Sequence, residues 1–158
     1  MAEFNTEFLR EAIRLSKENL TDGAGGPFGA VVVKDNKIIA EGRNVVLATK
    51  DPTSHAEIQA IRNASKHLND FNLKGCEIYT SCEPCPMCLS AIYWARIDRI
   101  YYANTKKDAA AIGFDDEFIY KELALPEAQR KIEMNHINNE DARKIFLEWF
   151  GSETKILY

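Results

Sequence analysis

Apolar residues at Phe8, Leu9, Ala12, Ile13 and Leu15 recur at helical spacing between Asn5/Thr6 and a glycine-rich stretch from Gly23 to Pro27. The chain is therefore predicted to open with an amphipathic helix that the glycines end. Phe28 to Val33 and Lys37 to Glu41 are apolar, partly β-branched runs, and Lys34-Asp35-Asn36 between them reads as a hairpin turn. A polar loop from Asn44 to Pro52 follows. Ser54 then has the look of an N-cap, with Glu57 three positions on completing a capping-box pattern, and a helix to about Leu68 is expected.

Cys76 to Thr80 predicts a short strand, Cys85 to Ala95 carries helical spacing in Leu89, Ile92 and Tyr93, and Ile97 to Ala103 returns to strand character. Pro126 is a break, and an amphipathic stretch from Asp141 to Phe150 adds one or two helices at the end. Strand and helix alternate along most of the chain. That order favours an α/β sandwich, a mixed sheet with helices on both faces. No repeat, low-complexity segment or linker interrupts it, and 158 residues is the size of one domain, so a single domain over residues 1–158 is expected.

Charge and cysteine usage narrow the classes. Lys and Arg total 20 against 24 Asp and Glu, a formal charge of −4 with no long basic run, which argues against RNA or DNA as the main partner. Met1 to Arg10 lacks the basic stretch and apolar block of a secretory signal, and no apolar run approaches membrane-spanning length. A cytoplasmic protein with no membrane partner is expected. Thiols stay reduced there, so the four cysteines, three of them between Cys82 and Cys88, read as metal ligands before disulfides.

The chemistry concentrates in His55-Ala56-Glu57 and Pro84-Cys85-Pro86-Met87-Cys88, each opening a predicted helix. Unpaired backbone N–H groups and partial positive charge at a helix start favour thiolate over thiol. Side by side, the two helix starts would bring one imidazole and two thiolates together, giving zinc three protein ligands and leaving a fourth position for water. HxE and CxxC each occur by chance, but HxE followed by PCxxC is the signature of the zinc nucleobase deaminases. A structural zinc would want a fourth ligand, for which Cys82 is the candidate; Cys76 is most simply a buried core residue.

Replacing an aromatic amino group by oxygen needs a hydroxide nucleophile at neutral pH and protons for the ring nitrogen and the departing ammonia. Zinc lowers the pKa of a bound water toward neutrality, and a carboxylate that does not bind the metal can carry the protons. Glu57 fits the second role. Its alternative role is that of capping-box partner to Ser54.

The chain resembles the cytidine-deaminase-like zinc hydrolases, and within them the bacterial guanine deaminases. The resemblance is carried by Gly25-Gly26-Pro27-Phe28-Gly29-Ala30, Asp51-Pro52-Thr53-Ser54-His55-Ala56-Glu57, Tyr79-Thr80-Ser81-Cys82-Glu83-Pro84-Cys85-Pro86-Met87-Cys88, Ala91-Ile92-Tyr93-Trp94-Ala95-Arg96, and Gly113-Phe114-Asp115-Asp116 leading to Phe118-Ile119-Tyr120-Lys121-Glu122. The first four stretches are also like the tRNA adenosine deaminases; the last is more particular to guanine deaminases. From about Pro126 to Thr154 the sequence departs from the family.

The resemblance implies a three-layer α/β/α sandwich with a five-stranded mixed sheet, one zinc held by His55, Cys85 and Cys88, and Glu57 as proton carrier. It implies deamination of guanine to xanthine and ammonia, with a small purine base as partner. It also implies a homodimer whose C-terminal segment, about residues 151–158 and ending in Tyr158, crosses to cover the other subunit's site. Asn44 would read the carbonyl and N7 edge of the base, or else make an Asx turn. Phe28 and Trp94 would stack on it, or else belong to the core. Asp116 would act as a second catalytic carboxylate, unless Asp115 and Asp116 only cap the helix running toward Glu122. Ala56, Phe114 and Asp115 complete the implied substrate-binding set. Deamination of guanosine, editing of adenosine in tRNA, and a zinc-stabilised binding module without catalysis are the competing readings.

Overall fold

In the computed structural model, which describes residues 4–158, apolar periodicity becomes three layers. Met1 to Glu3, the beginning of the segment read for a secretory signal, lie outside the described residues. The opening helix, α1, spans Thr6–Asp22, with the Asn5 side chain accepting from the Glu7 N–H and Gly23 closing it in the left-handed conformation at φ 65°. Strands β1 (Gly29–Lys34) and β2 (Lys37–Arg43) form the expected hairpin. Its turn is shorter than predicted, because Asp35 and Asn36 adopt φ values of 49° and 58° and bring Lys34 opposite Lys37 in the ladder.

The segment Asn44 to Pro52 is not all loop: Val46–Thr49 forms a one-turn helix, α2, too short to leave a periodic signal. Helix α3 spans Ala56–Leu68, β3 Cys76–Cys82, α4 Pro86–Trp94 and β4 Arg99–Asn104. The strands order as β2-β1-β3-β4, antiparallel except for the β3–β4 pair, so the sheet is mixed as expected. Alternation along β1 and β3 separates the two faces. Val31, Val33 and Tyr79 pack with Leu15 of α1, whereas Ala30, Val32 and Ile78 pack with Ala56, Ala60 and Ala64 of α3 and Ile92 of α4.

The sheet has four strands among the described residues, not the five expected. After β4 the chain is committed to helix by a reciprocal capping box between Thr105 and Asp108, which starts α5 (Lys106–Ala111). The later stretch 131–139 forms no strand, and Asn135, Asn138 and Asn139 within it disfavour one.

The chain divides into two compact units, Met1–Ile119 and Tyr120–Tyr158. Helix α6 (Glu117–Ala124) runs across the division. Within the second unit, Arg130 Nε donates to the Leu125 carbonyl at 3.1 Å and the Lys131 N–H to Glu122 Oε2 at 2.7 Å, while Pro126 leads into a 3₁₀ turn at Glu127–Gln129. The expected terminal helix is α7 (Glu140–Gly151), capped by the Asn139 side chain. Among the described residues, no helix is long and apolar enough to cross a membrane.

Candidate active site

The start of α3 is built differently from its sequence pattern. Its N-cap is His55, in extended backbone conformation at φ −72° and ψ 160°, and not Ser54. The Ser54 hydroxyl donates instead to Asp51 Oδ2 at 2.8 Å, within a loop where Asp51 Oδ1 also accepts from the Thr53 N–H and hydroxyl. Ser54 and Glu57 therefore form no capping box. Glu57, in the first turn of α3, is buried, with its Oε2 beside Cys88 Sγ.

Cys85 is the N-cap of α4, also in extended conformation, but unlike His55 it caps with its side chain, Sγ accepting from the Cys88 N–H at 3.5 Å, with Pro86 at the first helical position. The two helix starts converge. His55 Nδ1 lies 3.6 Å from Cys85 Sγ and 3.5 Å from Cys88 Sγ, and the three donor atoms all fall within 4.8 Å of one another. Zn–N and Zn–S bonds of ordinary length at a tetrahedral angle place N and S about 3.5–3.6 Å apart, so the spacing suits a single zinc ion. Among the described residues no fourth His, Cys, Asp or Glu joins this cluster. Cys82, the candidate for closing it, turns its thiol to the Thr105 carbonyl at 3.6 Å.

Without metal, the protons settle unevenly. Cys85 is held down to about 4 by the Cys88 thiol donating to it, helped by His55. His55 is raised by its own contact with the Cys85 thiolate, and Cys88 by its contact with Cys85 and then by burial. Zinc displaces protons from all such ligands, so binding here is coupled to proton release. Burial pushes Glu57 up to about 7, with its Oε2 3.4 Å from Cys88 Sγ. A carboxyl beside the cluster that is not one of its ligands is suited to taking and giving protons at the same site.

A cavity of about 400 Å³ opens over this cluster, lined by His55, Glu57 and Cys85 together with Phe28, Asn44, Phe114, Asp115 and Asp116. Phe28 and Phe114 meet edge to face at 4.9 Å, across the backbone of Gly26, where a Cβ would stand 2.8–2.9 Å from both rings. Asn44 is buried and makes an Asx turn, its Oδ1 accepting from the Val46 N–H at 3.1 Å. The Asx turn and the cavity wall are thus the same residue. Asp115 Oδ1 accepts from the Glu117 N–H at 3.1 Å. Asp116 Oδ1 is buried with no hydrogen-bond partner, and burial together with Cys85 raises its pKa.

Other expected residues fall elsewhere. Ala56 is fully buried in the core cluster beneath α3 and does not line the cavity. Trp94 is exposed at the end of α4, beside a separate surface depression with Ser90, Tyr93 and Arg96. Tyr158 ends the second unit and is exposed. The cavity also has contributors that sequence patterning did not find, notably Val46 and Leu47 from α2, and Glu83, whose Oε2 accepts from the Lys106 N–H at 3.0 Å.

The model of the cytidine and deoxycytidylate deaminase zinc-binding region matches residues 2–104. The chain belongs to this family. Its zinc-binding deaminase character agrees with the His55, Cys85 and Cys88 cluster as a single metal site. Within the family, the chain is 51% identical to guanine deaminase of Bacillus subtilis (strain 168), over 96% of this chain and 97% of that one. The crystal structure of the Bacillus subtilis guanine deaminase superposes with a TM-score of 0.94 at 48% identity, covering 99% of both chains. A tRNA-specific adenosine deaminase of Aquifex aeolicus is 34% identical over 90% of this chain and 91% of its own.

Proposed function

We propose that this deaminase acts on guanine, converting it with water to xanthine and ammonia. The observation that carries the reading is the cavity that joins Glu57 and the metal cluster to Asp116, whose buried Oδ1 lacks a partner. A buried acceptor of that kind is costly unless a ligand satisfies it, and the N1–H and 2-amino group of guanine offer donors side by side. The likeness to a guanine deaminase along nearly the whole chain supports the same substrate.

His55, Cys85 and Cys88 would hold the metal. Bound zinc would supply a water nucleophile ionised near neutral pH. Glu57 would take a proton from the attacking water and give it to N3 as the C–O bond forms at C2; it would then take the proton of the new C2 hydroxyl and pass it to the amine as the C2–N bond breaks and the C2 carbonyl forms. Asp116 accepts from the base and assists this proton movement. Asn44, with its Oδ1 engaged by Val46, offers its amide NH₂ to an acceptor on the base edge. Phe28 and Phe114 pack against the ring and keep water away, which strengthens each of these interactions.

The working form is expected to be a homodimer, with the C-terminal segment that ends in Tyr158 covering the site of the other subunit. Exposed Ile145, Phe146 and Phe150 of α7, Leu157 and Tyr158, and Trp94 of α4 support burial against a second copy. The charge of −4 and the four free cysteines suit a cytoplasmic enzyme that does not act on nucleic acid.

The test is ammonia release by the zinc-loaded protein offered guanine, guanosine, adenine, cytidine, cytosine and a tRNA anticodon stem-loop in parallel. Guanine turning over alone supports the reading. Preference for guanosine or for the stem-loop would retain the zinc chemistry and overturn the substrate.

A further inference from the structure

Asn19 is a polar residue on the buried stripe of α1, in line with Ala12 and Leu15, and it is only 4% exposed. Its Nδ2 donates to two backbone carbonyls, that of Gly26 at 2.6 Å and that of Asn44 at 2.8 Å. Its Oδ1 accepts from Arg43 Nη1 at 3.0 Å. A guanidinium can only donate, so this contact fixes which end of the Asn19 amide carries the oxygen, and the NH₂ is left facing the two carbonyls. Arg43 is held in turn by Asp22 and, at 3.7 Å, by Glu18.

The two carbonyls belong to residues that line the cavity over the metal cluster. Gly26 lies against the Phe28 and Phe114 rings, and Asn44 presents its side chain to the cavity. On another side, Gly25 packs so closely that a Cβ there would stand 2.1 Å from Asn44 Oδ1 and 2.6 Å from the Asn44 carbonyl oxygen. The Val46 N–H takes Asn44 Oδ1. Every group of Asn44 except its amide NH₂ is therefore fixed by a neighbour, since its N–H also donates to the Phe28 carbonyl at 3.0 Å.

We propose that Asn19 is a positioning residue for base recognition, holding Asn44 and the Gly26 loop so that the Asn44 amide meets the base in one orientation. This rests on the reading of Asn44 as a group that touches the base. Asn19 itself touches no substrate and lies away from the metal cluster. Its loss should weaken binding of substrate and transition state alike, which raises KM and leaves kcat in place.

The experiment is a double-mutant cycle on zinc-loaded enzyme, with Asn19→Asp, Asn44→Ala and the pair together, read as kcat and KM on the base that the wild type prefers, with zinc content measured alongside. Asn19→Asp keeps the size of the side chain and its contact with Arg43 but turns both donations into repulsions. Its expected effect is about a tenfold rise in KM, the scale of a lost buried hydrogen bond, with kcat within about twofold and zinc retained. In the double variant, kcat/KM should match that of Asn44→Ala alone within about twofold. Multiplying effects, an unchanged KM, or a fall in kcat with loss of zinc would each overturn the proposal. Should Asn19→Asp fail to fold, Arg43→Met removes the group that orients the Asn19 amide from a partly exposed position, and a smaller KM rise, absent in the Asn44→Ala background, is expected. An unchanged KM in Arg43→Met would overturn the proposal. Failure of the guanine reading shows separately, in the wild-type substrate preference, because the cycle is run on whichever base that enzyme prefers.

Discussion

Glu57 and Cys88 meet across 31 residues of sequence, with Cys88 Sγ 3.4 Å from Glu57 Oε2, although they sit in the first turns of different helices. The contact puts a buried carboxyl beside the metal cluster without making it a ligand. A capping box would instead turn the Glu57 carboxylate back to the Ser54 N–H, but that N–H donates to the Asp51 carbonyl at 3.1 Å and the Ser54 hydroxyl to Asp51 Oδ2.

Replacing Glu57 by Gln should therefore separate metal binding from catalysis. The His55, Cys85 and Cys88 donors are untouched, so stoichiometric zinc is expected by atomic absorption. Turnover should fall by roughly 10²–10⁴-fold, the contribution of a positioned proton carrier. Substantial activity in the purified variant would remove Glu57 from the role.

The same substitution has a consequence for the zinc-free protein. Glu57 is raised from 4.5 to about 7 in the folded state, chiefly by burial. The folded chain thus binds a proton that the unfolded chain has released, and stability from this group is full below about pH 4.5 and lost as pH rises through about 7. The gap in unfolding free energy between Glu57→Gln and wild type should widen in favour of the variant by up to about 3 kcal/mol between pH 4.5 and 7.5. Urea unfolding of chelator-treated protein across that range would measure it. A gap that stays constant, or that widens toward acid, contradicts the buried state of Glu57.

Asp116 offers a different split. Its unpartnered Oδ1 is expected to accept from the substrate, so Asp116→Asn, which can place a donor there, should lower kcat/KM by about 10²-fold while zinc content and melting temperature hold. The neutral side chain removes a buried charge and should not destabilise the free protein. Loss of folding without a specific kinetic defect would mark Asp116 as structural.

The fit of α3 against the sheet rests on Gly42 of β2. A Cβ at that position would stand 2.3 Å from the Ala56 carbonyl oxygen and 2.4 Å from the Ala60 nitrogen, both backbone atoms of the helix that carries Glu57. Gly42→Ala should cost about 2–3 kcal/mol in thermal or urea unfolding and reduce zinc occupancy, because relief of the clash moves the start of α3. An unchanged zinc content with a lowered melting temperature would mean that the helix shifts without disturbing its first turn.

Sequence by itself determined the layered α/β architecture and the metal chemistry. The strand and helix periods of 28–43, 56–68 and 76–104 are local signals, and burial on alternate faces of β1 and β3 follows from them. Cys85 and Cys88 are three residues apart in one turn, and His55 opens the other helix, so the ligand types and their helix starts were legible without knowing the fold. Tertiary structure alone decided what lay between distant segments. Ser54 and Glu57 match a capping box in spacing, but Asp51 takes the Ser54 hydroxyl and N–H and the cap falls on His55. The one-turn α2 is too short for periodicity to register, yet it supplies Leu47 to the cavity wall. Asn19 reads in sequence as one polar position on a helix; its hold on Asn44, 25 residues later, appears only when α1 packs against the sheet. Local patterning specifies which backbone a segment prefers, whereas the partner of a buried polar group is chosen by long-range packing that no short window contains.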